Sequence, residues 1–476
     1  MKGWIMALAG VATMFVVALI GSSMVVDVVI TVDPTRTHQT MKGWEVSAFL
    51  WEQNKKEDRY DPSWQDHKEE LFDRLVNELG IDRVRIEIRS GAENPVDYWT
   101  PFERQQIGYR EMKRYRYEKI NDNGDARLAN KAGFQFAELD YQVQNVLLPL
   151  RRRVEANREK LFINLTYVDF GGTEKKGNLS HARQPEEYAE LIHLTFDHLK
   201  QRYGITPDAL EIILEPDNSD HWRGGEIGAA MVAAVRRLRE AGFSPEVIAP
   251  STASARRAVD YIDKMMAVPG AAGVISTFAY HRYDGASASV ALPRIRERAT
   301  RFGVGTAMLE HLTGDVSELY EDLTTANVSA WQQFGIAYTS SPERERGGGY
   351  HYLVDLGGRE KPTVRMASRT RELAQYFRFV RAGAVRIGAT SNDGDKRAVA
   401  FRNANGGHVV VVQAHRSGGT MSVVGVPAGS YGVRYTTADE TGREVPAISI
   451  GAGQVLTARL PAKGVITFYQ KMSSAR

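Results

Sequence analysis

The stretch Gln184 to Asn218, QPEEYAELIHLTFDHLKQRYGITPDALEIILEPDN, decides the fold. Pro185 suits the first turn of a helix, where its missing N–H costs nothing. Gly204 suits the stop, because it takes a left-handed conformation freely. The pattern predicts a helix from Pro185 to Tyr203. Leu210 to Leu214 is then a short apolar run that reads as a buried strand. It ends on Glu215-Pro216-Asp217-Asn218. One helix, one turn and one buried strand ending on an acid make a unit of α/β protein.

The unit repeats on both sides. Upstream, Trp44 to Leu50 reads as a strand. Ser63 can cap a helix through Leu79 that stops at Gly80. Val84 to Ile88 is the next strand, and Phe162 to Tyr167 follows a helix around Tyr141 to Arg158. Downstream, helices at 226–241, 255–267, 292–302 and 317–332 alternate with strands at 247–250, 274–280, 304–309 and 336–339. Eight strands from Trp44 to Thr339 in one alternating series predict an α/β fold, a closed (β/α)8 TIM barrel. A doubly wound open sheet is the rival, but no glycine fingerprint follows the first strand.

Past Gly383 the texture changes to short strands separated by glycine-rich turns: Val385–Thr390, Ala398–Arg402, His408–Gln413, Met421–Val424, Gly432–Thr436 and Val465–Tyr469. This predicts an attached antiparallel β-sandwich, joined by a strand at Val28 to Val32 that precedes the barrel. The predicted organisation is a barrel over residues 42–380 and a sandwich over 27–41 plus 381–471. Residues 91–140 form an insertion rich in aromatic and amide side chains, among them Tyr98, Trp99, Phe102, Tyr109, Tyr115, Tyr117, Phe134 and Phe136. It follows the second barrel strand and so falls on the face that carries active sites. It reads as a substrate-binding wall.

The 476-residue chain is 43% hydrophobic and 25% charged, with net charge +3 and no cysteine. The charge argues against nucleic acid as a partner. Absence of cysteine excludes thiol catalysis, thiolate-bound metal and disulfides. A basic run at Arg110 to Lys119 (REMKRYRYEK) reads as a solvated loop or helix face. Gly3 to Val26 carry no charge, and Gly21, Ser22 and Ser23 end the apolar run. Residues 1–26 thus fit a signal peptide, with a retained membrane anchor as the alternative. Either places the protein outside the cytoplasm.

Two glutamates occupy matching positions. Glu215 ends the fourth predicted strand, and Glu310, in Leu309-Glu310-His311, ends the seventh. Strands 4 and 7 can face each other across a barrel. Two facing carboxyls, one protonated and one ionised, are what cleavage of a glycosidic bond requires. Histidines elsewhere lack metal-ligand spacing, so no metal or cofactor is expected, nor an obligate protein partner.

The chain resembles glycoside hydrolase family 30. The resemblance is carried by the join Ala374 to Asn392 (AQYFRFVRAGAVRIGATSN), by Gly43-Trp44-Glu45-Val46-Ser47, and by the glutamate pair. It implies a retaining hydrolase acting on a carbohydrate, with Glu215 as acid/base and Glu310 as nucleophile. It implies further that Arg85 on strand 2 keeps Glu310 ionised, and that His281 and Tyr283 after strand 6 hydrogen-bond near it. Trp222 and Trp331 are candidate sugar-stacking platforms, with core packing as the alternative. One position departs. The family's clan has Asn before the acid/base, and Leu214 stands there. Either an amide such as Asn218 or Asn164 takes over contact with the sugar 2-hydroxyl, or the substrate is unusual there, or activity is lost and a carbohydrate-binding protein remains.

Overall fold

A long strand, β1 (Val28–Thr40), opens the described chain; the computed structural model describes residues 28–170, 177–219, 221–357 and 362–472. The segment read as a signal peptide or anchor lies outside them.

Eight parallel strands follow: β2 (Gly43–Ser47), β3 (Arg83–Arg89), β4 (Phe162–Val168), β5 (Ala209–Glu211), β6 (Glu246–Thr252), β7 (Thr277–Tyr280), β8 (Gly305–Met308) and β9 (Val328–Thr339). They are hydrogen-bonded in sequence order. β9 closes the ring on β2, with Trp331 beside Trp44. The helices predicted between them cover the outside. Helix Pro185–Tyr203 starts on its proline and stops at Gly204 with φ 67°. Its face of Tyr188, Leu191, Ile192, Thr195 and Leu199 is buried. That stripe is the helix's main stabilising feature, at about 25 cal/mol per Å² of apolar surface removed from water.

Three expectations need correction. The helix expected at 317–332 ends at Ala326, where Asn327 takes a left-handed φ of 59°. Val328 to Gln332 belong to β9 instead, so Trp331 sits on a barrel strand. Asparagine tolerates that conformation, and the stop was written in it. β9 then pairs with an unforeseen strand, β10 (Tyr350–Asp355), and β10 with another, β11 (Thr363–Met366), both outside the ring. The basic run is no solvated face throughout. Arg116 and Lys119 are buried and ion-paired with Glu138 and Asp169.

The second sheet has nine strands: β1 with β12 (Val385–Ser391), β13 (Lys396–Arg402), β14 (His408–Ala414), β15 (Gly419–Val424), β16 (Gly429–Thr437), β17 (Arg443–Ile450), β18 (Leu456–Leu460) and β19 (Gly464–Gln470). The sheet is mixed, because β1 runs parallel to β15. Its inward faces, such as Ile30, Val410, Val412, Val433 and Phe468, form an apolar core separate from the barrel's. Gln413 ties it to the barrel through bonds to the Val316 carbonyl (2.8 Å) and the Tyr376 hydroxyl (2.7 Å).

Candidate active site

The site begins with the alternation in β3, Arg83-Val84-Arg85-Ile86-Glu87-Ile88-Arg89. Side chains alternate across a strand, and the helices outside need apolar partners. The charged set therefore points into the barrel. Arg83 pairs with buried Glu45 at 2.8 Å near the floor. One pleat higher, Arg85 is fully buried and donates to Glu310 Oε2 at 2.5 Å and to the Leu309 carbonyl at 3.2 Å. Glu87 stands 3.3 Å from Arg85 and pairs on its other side with Arg89. Arg89 and Arg116 both pair with Glu138. A row of alternating charges thus runs from Glu310 into the insertion. Burial opposes the charge on Arg85, but Glu310 and Glu87 outweigh it and hold the guanidinium firmly protonated. Glu138 is likewise opposed by burial, yet Arg116 and Arg89 pull its pKa down to about 2.

Glu310 takes a second bond, 2.8 Å, from the Tyr283 hydroxyl. Tyr283 is 42% exposed, unlike the buried Arg85 and His281. Burial of the hydroxyl end and the nearby charges of Glu310 and Glu215 push its pKa up, so it stays a donor.

Glu215 is held differently. The extended chain past β5 stays bonded to both neighbours: Ile212 N–H to Ile248 O (3.0 Å) and Leu214 N–H to Tyr167 O (2.9 Å). Glu215 then turns left-handed, φ 48° and ψ 55°, with its N–H on Ser251 O at 3.0 Å. A non-glycine residue in that region is strained by on the order of 1 kcal/mol, and Pro216 starts the turn that follows. The carboxylate accepts from Asn218 Nδ2 at 2.7 Å and contacts His281 Nδ1 at 2.9 Å. Burial disfavours a charged His281, but the bond to Glu215 and the charges of Glu310 and Glu215 outweigh it and raise its pKa.

One carboxylate oxygen of Glu215, one of Glu310 and a ring nitrogen of His281 all lie within 4.8 Å of one another. That spacing is also open to a metal. The guanidinium already on Glu310 opposes a second cation there.

Asn218, Arg85, His281 and Tyr283 are therefore brought to the glutamate pair. Three other expected residues are not. Asn164 is fully buried below it, with its amide on Glu211 (2.9 Å) and Glu45 (3.3 Å). Trp222 and Trp331 are fully buried too, so as stacking platforms they are corrected to core residues. Their indole N–H groups need buried acceptors and find Asp169 (3.0 Å) and Asp322 (2.9 Å). The insertion is also less a wall than expected. Tyr98, Trp99 and Phe102 are buried, and with Tyr60 and Tyr141 they form an aromatic core. Tyr117 does reach the site, in a small apolar cluster with Val168, Leu214 and Phe170.

Sequence reasoning missed an aromatic group on the loops after β2 and along β9 and β10. Phe49 stacks obliquely on Phe334 (5.4 Å) and Tyr350 (6.3 Å), and Tyr338 on Tyr350 (4.9 Å). Only Tyr350 among them is fully in the core; Phe49, Phe334 and Tyr338 are partly exposed. The signal was there in Phe49, just beyond a strand end, and in the alternation of Phe334, Ile336 and Tyr338.

The barrel with its attached sheet has the fold of glycoside hydrolase family 30. The catalytic domain of GH30 xylanase C from Talaromyces cellulolyticus matches 93% of this chain and 100% of its own, at TM-score 0.61 and 18% identity. The endo-β1,6-glucanase BT3312 matches 93% of this chain and 94% of its own, at TM-score 0.62 and 17% identity. A conserved exported protein from Bacteroides fragilis matches 93% of this chain and 100% of its own, at TM-score 0.68 and 15% identity. No family model and no curated protein matches the sequence.

Proposed function

We propose that the protein is a retaining glycoside hydrolase that cleaves β-linkages in a polysaccharide or oligosaccharide. The observation that carries this is the approach of Glu215 and Glu310, with carboxylate oxygens within 4.8 Å at the ends of β5 and β8. Retaining enzymes hold their carboxyls about 5–5.5 Å apart, and inverting ones about 6.5–9.5 Å to admit water. In the first step a Glu310 oxygen bonds to the anomeric carbon, the bond to the leaving oxygen breaks, and Glu215 gives that oxygen a proton. In the second, Glu215 takes a proton from water, whose oxygen displaces Glu310 with retained configuration. Arg85 and Tyr283 stabilise negative charge on Glu310 before attack and after release. A xylanase and an endo-β1,6-glucanase share the fold, in agreement with a glycosidase activity.

The test is covalent labelling with a 2-deoxy-2-fluoroglycoside bearing an activated leaving group. We expect one label on Glu310 and none on the Glu310→Gln variant. A label that persists on the variant overturns the assignment.

A second reading rests on Leu214. No amide stands there to meet a sugar 2-hydroxyl, because Leu214 packs with Tyr117, Val168 and Phe170. Asn218 spends an N–H on Glu215. A carbohydrate-binding protein without turnover fits this too. Glycan binding with no product across a broad panel selects that reading.

We further propose export, on the uncharged segment Gly3 to Val26. Among the described residues no helix is long and apolar enough to cross a membrane.

A further inference from the structure

Four acidic side chains outside the glutamate pair converge where the insertion meets helix Pro185–Tyr203. Glu93 follows β3 by a short turn, and its carbonyl accepts from Ile120 N–H at 2.8 Å. That bond brings in the loop bearing Asp122. Glu187 and Glu190 lie one turn apart on the helix, on one face. One carboxylate oxygen each from Glu93, Asp122 and Glu187 lies within 4.8 Å of the others.

Each of these carboxylates has one oxygen tethered and one free. His181 Nε2 contacts Glu93 Oε2 at 2.7 Å, and Glu93 Oε1 has no partner. Asn123 Nδ2 and the Asn130 N–H hold Asp122 Oδ2, and Oδ1 has none. Asn121 Nδ2 holds Glu187 Oε1 at 3.3 Å, and Oε2 has none. Glu190 is a separate, fully buried carboxyl beside them. Arg237 reaches its Oε1 at 3.4 Å, and Oε2 has no partner. Glu93 is fully buried and Glu187 nearly so, whereas Asp122 is partly exposed and leaves a way in from solvent.

Acidic charge here outweighs basic among the described residues. Among the described residues, Arg237 on Glu190 is the only guanidinium or ammonium within ion-pair distance of the four. Buried carboxylates without partners are costly. Burial first, then the charges of its acidic neighbours, push Glu190 up to about 8 and raise Glu187 as well. A tethered oxygen beside a free one is the arrangement of a carboxylate oriented for a cation.

We propose that Glu93, Asp122 and Glu187, backed by Glu190, bind a Ca2+ ion that fastens the insertion to the barrel. The free donors are all oxygen. His181 cannot add nitrogen, since its Nδ1 is engaged by the Tyr167 hydroxyl at 2.7 Å. Oxygen donors on an irregular loop suit a hard ion with flexible coordination better than zinc or copper. Gly133 makes room: a Cβ there would stand 2.3 Å from that of Asp122.

The test uses the full chain stripped with a chelator and titrated with CaCl2 by calorimetry, with Tm followed in parallel. We expect one ion bound per chain, and Tm raised by roughly 3 °C at a hundredfold excess over Kd. Asp122→Asn and Glu187→Gln should each weaken binding by tenfold or more and lose the shift. Asp122 lies on a partly exposed loop, so its variant keeps the test open if Glu187→Gln misfolds. Absence of binding up to about 10 mM, beyond the weak end of protein calcium sites, overturns the proposal. So does binding that persists unchanged in both variants. If the carboxyls instead share protons, calcium does nothing and stability falls as pH rises through about 8, which overturns it equally.

Discussion

Glu215 and Glu310 bring one carboxylate oxygen each within 4.8 Å of the other, yet are held by opposite means. Glu310 sits against a permanent cation, Arg85, and a phenol, Tyr283. Behind Arg85 the alternating row Glu87, Arg89, Glu138, Arg116 fixes the cation in place. Among the described residues no guanidinium bonds Glu215. It meets a neutral amide, an imidazole and a strained backbone, and its neighbour Leu214 packs into an apolar cluster. On the proposed mechanism the first carboxyl has to be negative at attack and the second has to give and take a proton. The proposed roles of nucleophile and acid/base rest on that difference in surroundings.

The sharpest way to break the comparison is to remove each carboxyl in turn. Glu310→Gln should lower kcat by on the order of 10^5 or more on every substrate. Glu215→Gln should cost roughly 10^2 to 10^4 where the leaving group needs a proton, and far less on an aryl glycoside with an activated leaving group. Equal losses on both substrate types, measured by initial rates, would erase the distinction.

A smaller effect sharpens the Glu310 side. Tyr283→Phe removes one donor and keeps the ring, so kcat/KM should fall by on the order of 10^2. If Arg85 alone sets the charge on Glu310, the measured loss will be below threefold.

The Glu215 side is read through pH. The pKa of His281 is raised in the fold above its ordinary 6.5. Its contribution to stability is then fully present below pH 6.5 and is lost as pH rises through the folded value. The Tm gap between the wild type and His281→Gln should therefore be larger at pH 6 than at pH 9. A gap independent of pH would mean that the contact is between neutral groups.

The smallest effect concerns Glu52, on the loop after β2. Burial first of all pushes it up to about 8, with the charge of Glu138 adding and Arg116 opposing. The folded state thus holds a proton that the unfolded chain releases near 4.5, and stability falls as pH rises between those values. Glu52→Gln should flatten the Tm profile between pH 5 and pH 8 by a few degrees, with little change in kcat. An unchanged profile removes Glu52 from the ionic row's surroundings.

Much of this could be read in the sequence, and the failures have physical causes. The eight strands were visible because a parallel barrel strand is apolar on the helix side, and because glycine and proline punctuate the helices. The glutamate pair was visible because both acids follow directly on such runs. The charged face of β3 was equally printed in Arg83, Arg85, Glu87 and Arg89, but only Arg85 drew attention. Taken together the four say that this barrel is packed with ion pairs, a fact that period alone gives away once helices cover the other face. Trp222 and Trp331 show the limit in the other direction, because an indole on a strand or turn gives no sign of whether an aspartate waits inside for its N–H. β17 was missed because it is an edge strand, mostly exposed and interrupted by Pro446, so it lacks the alternation of a half-buried strand. The sites that depend on distant partners, such as Glu93 with Glu187, carry no local signature at all.

The ionic row also bears on how such a barrel can be re-engineered. Residues 91–140 look like a cassette that could be exchanged to alter what the cleft accepts. Arg116 and Glu138 belong to that cassette, yet they terminate the row that holds Arg85 against Glu310. A graft that omits them would leave Arg89 with Glu87 as its one carboxylate partner among the described residues, and loosen the row that steadies the guanidinium. The loss would register as poor turnover in a well-folded chimera, and screening for new specificity would discard it for the wrong reason.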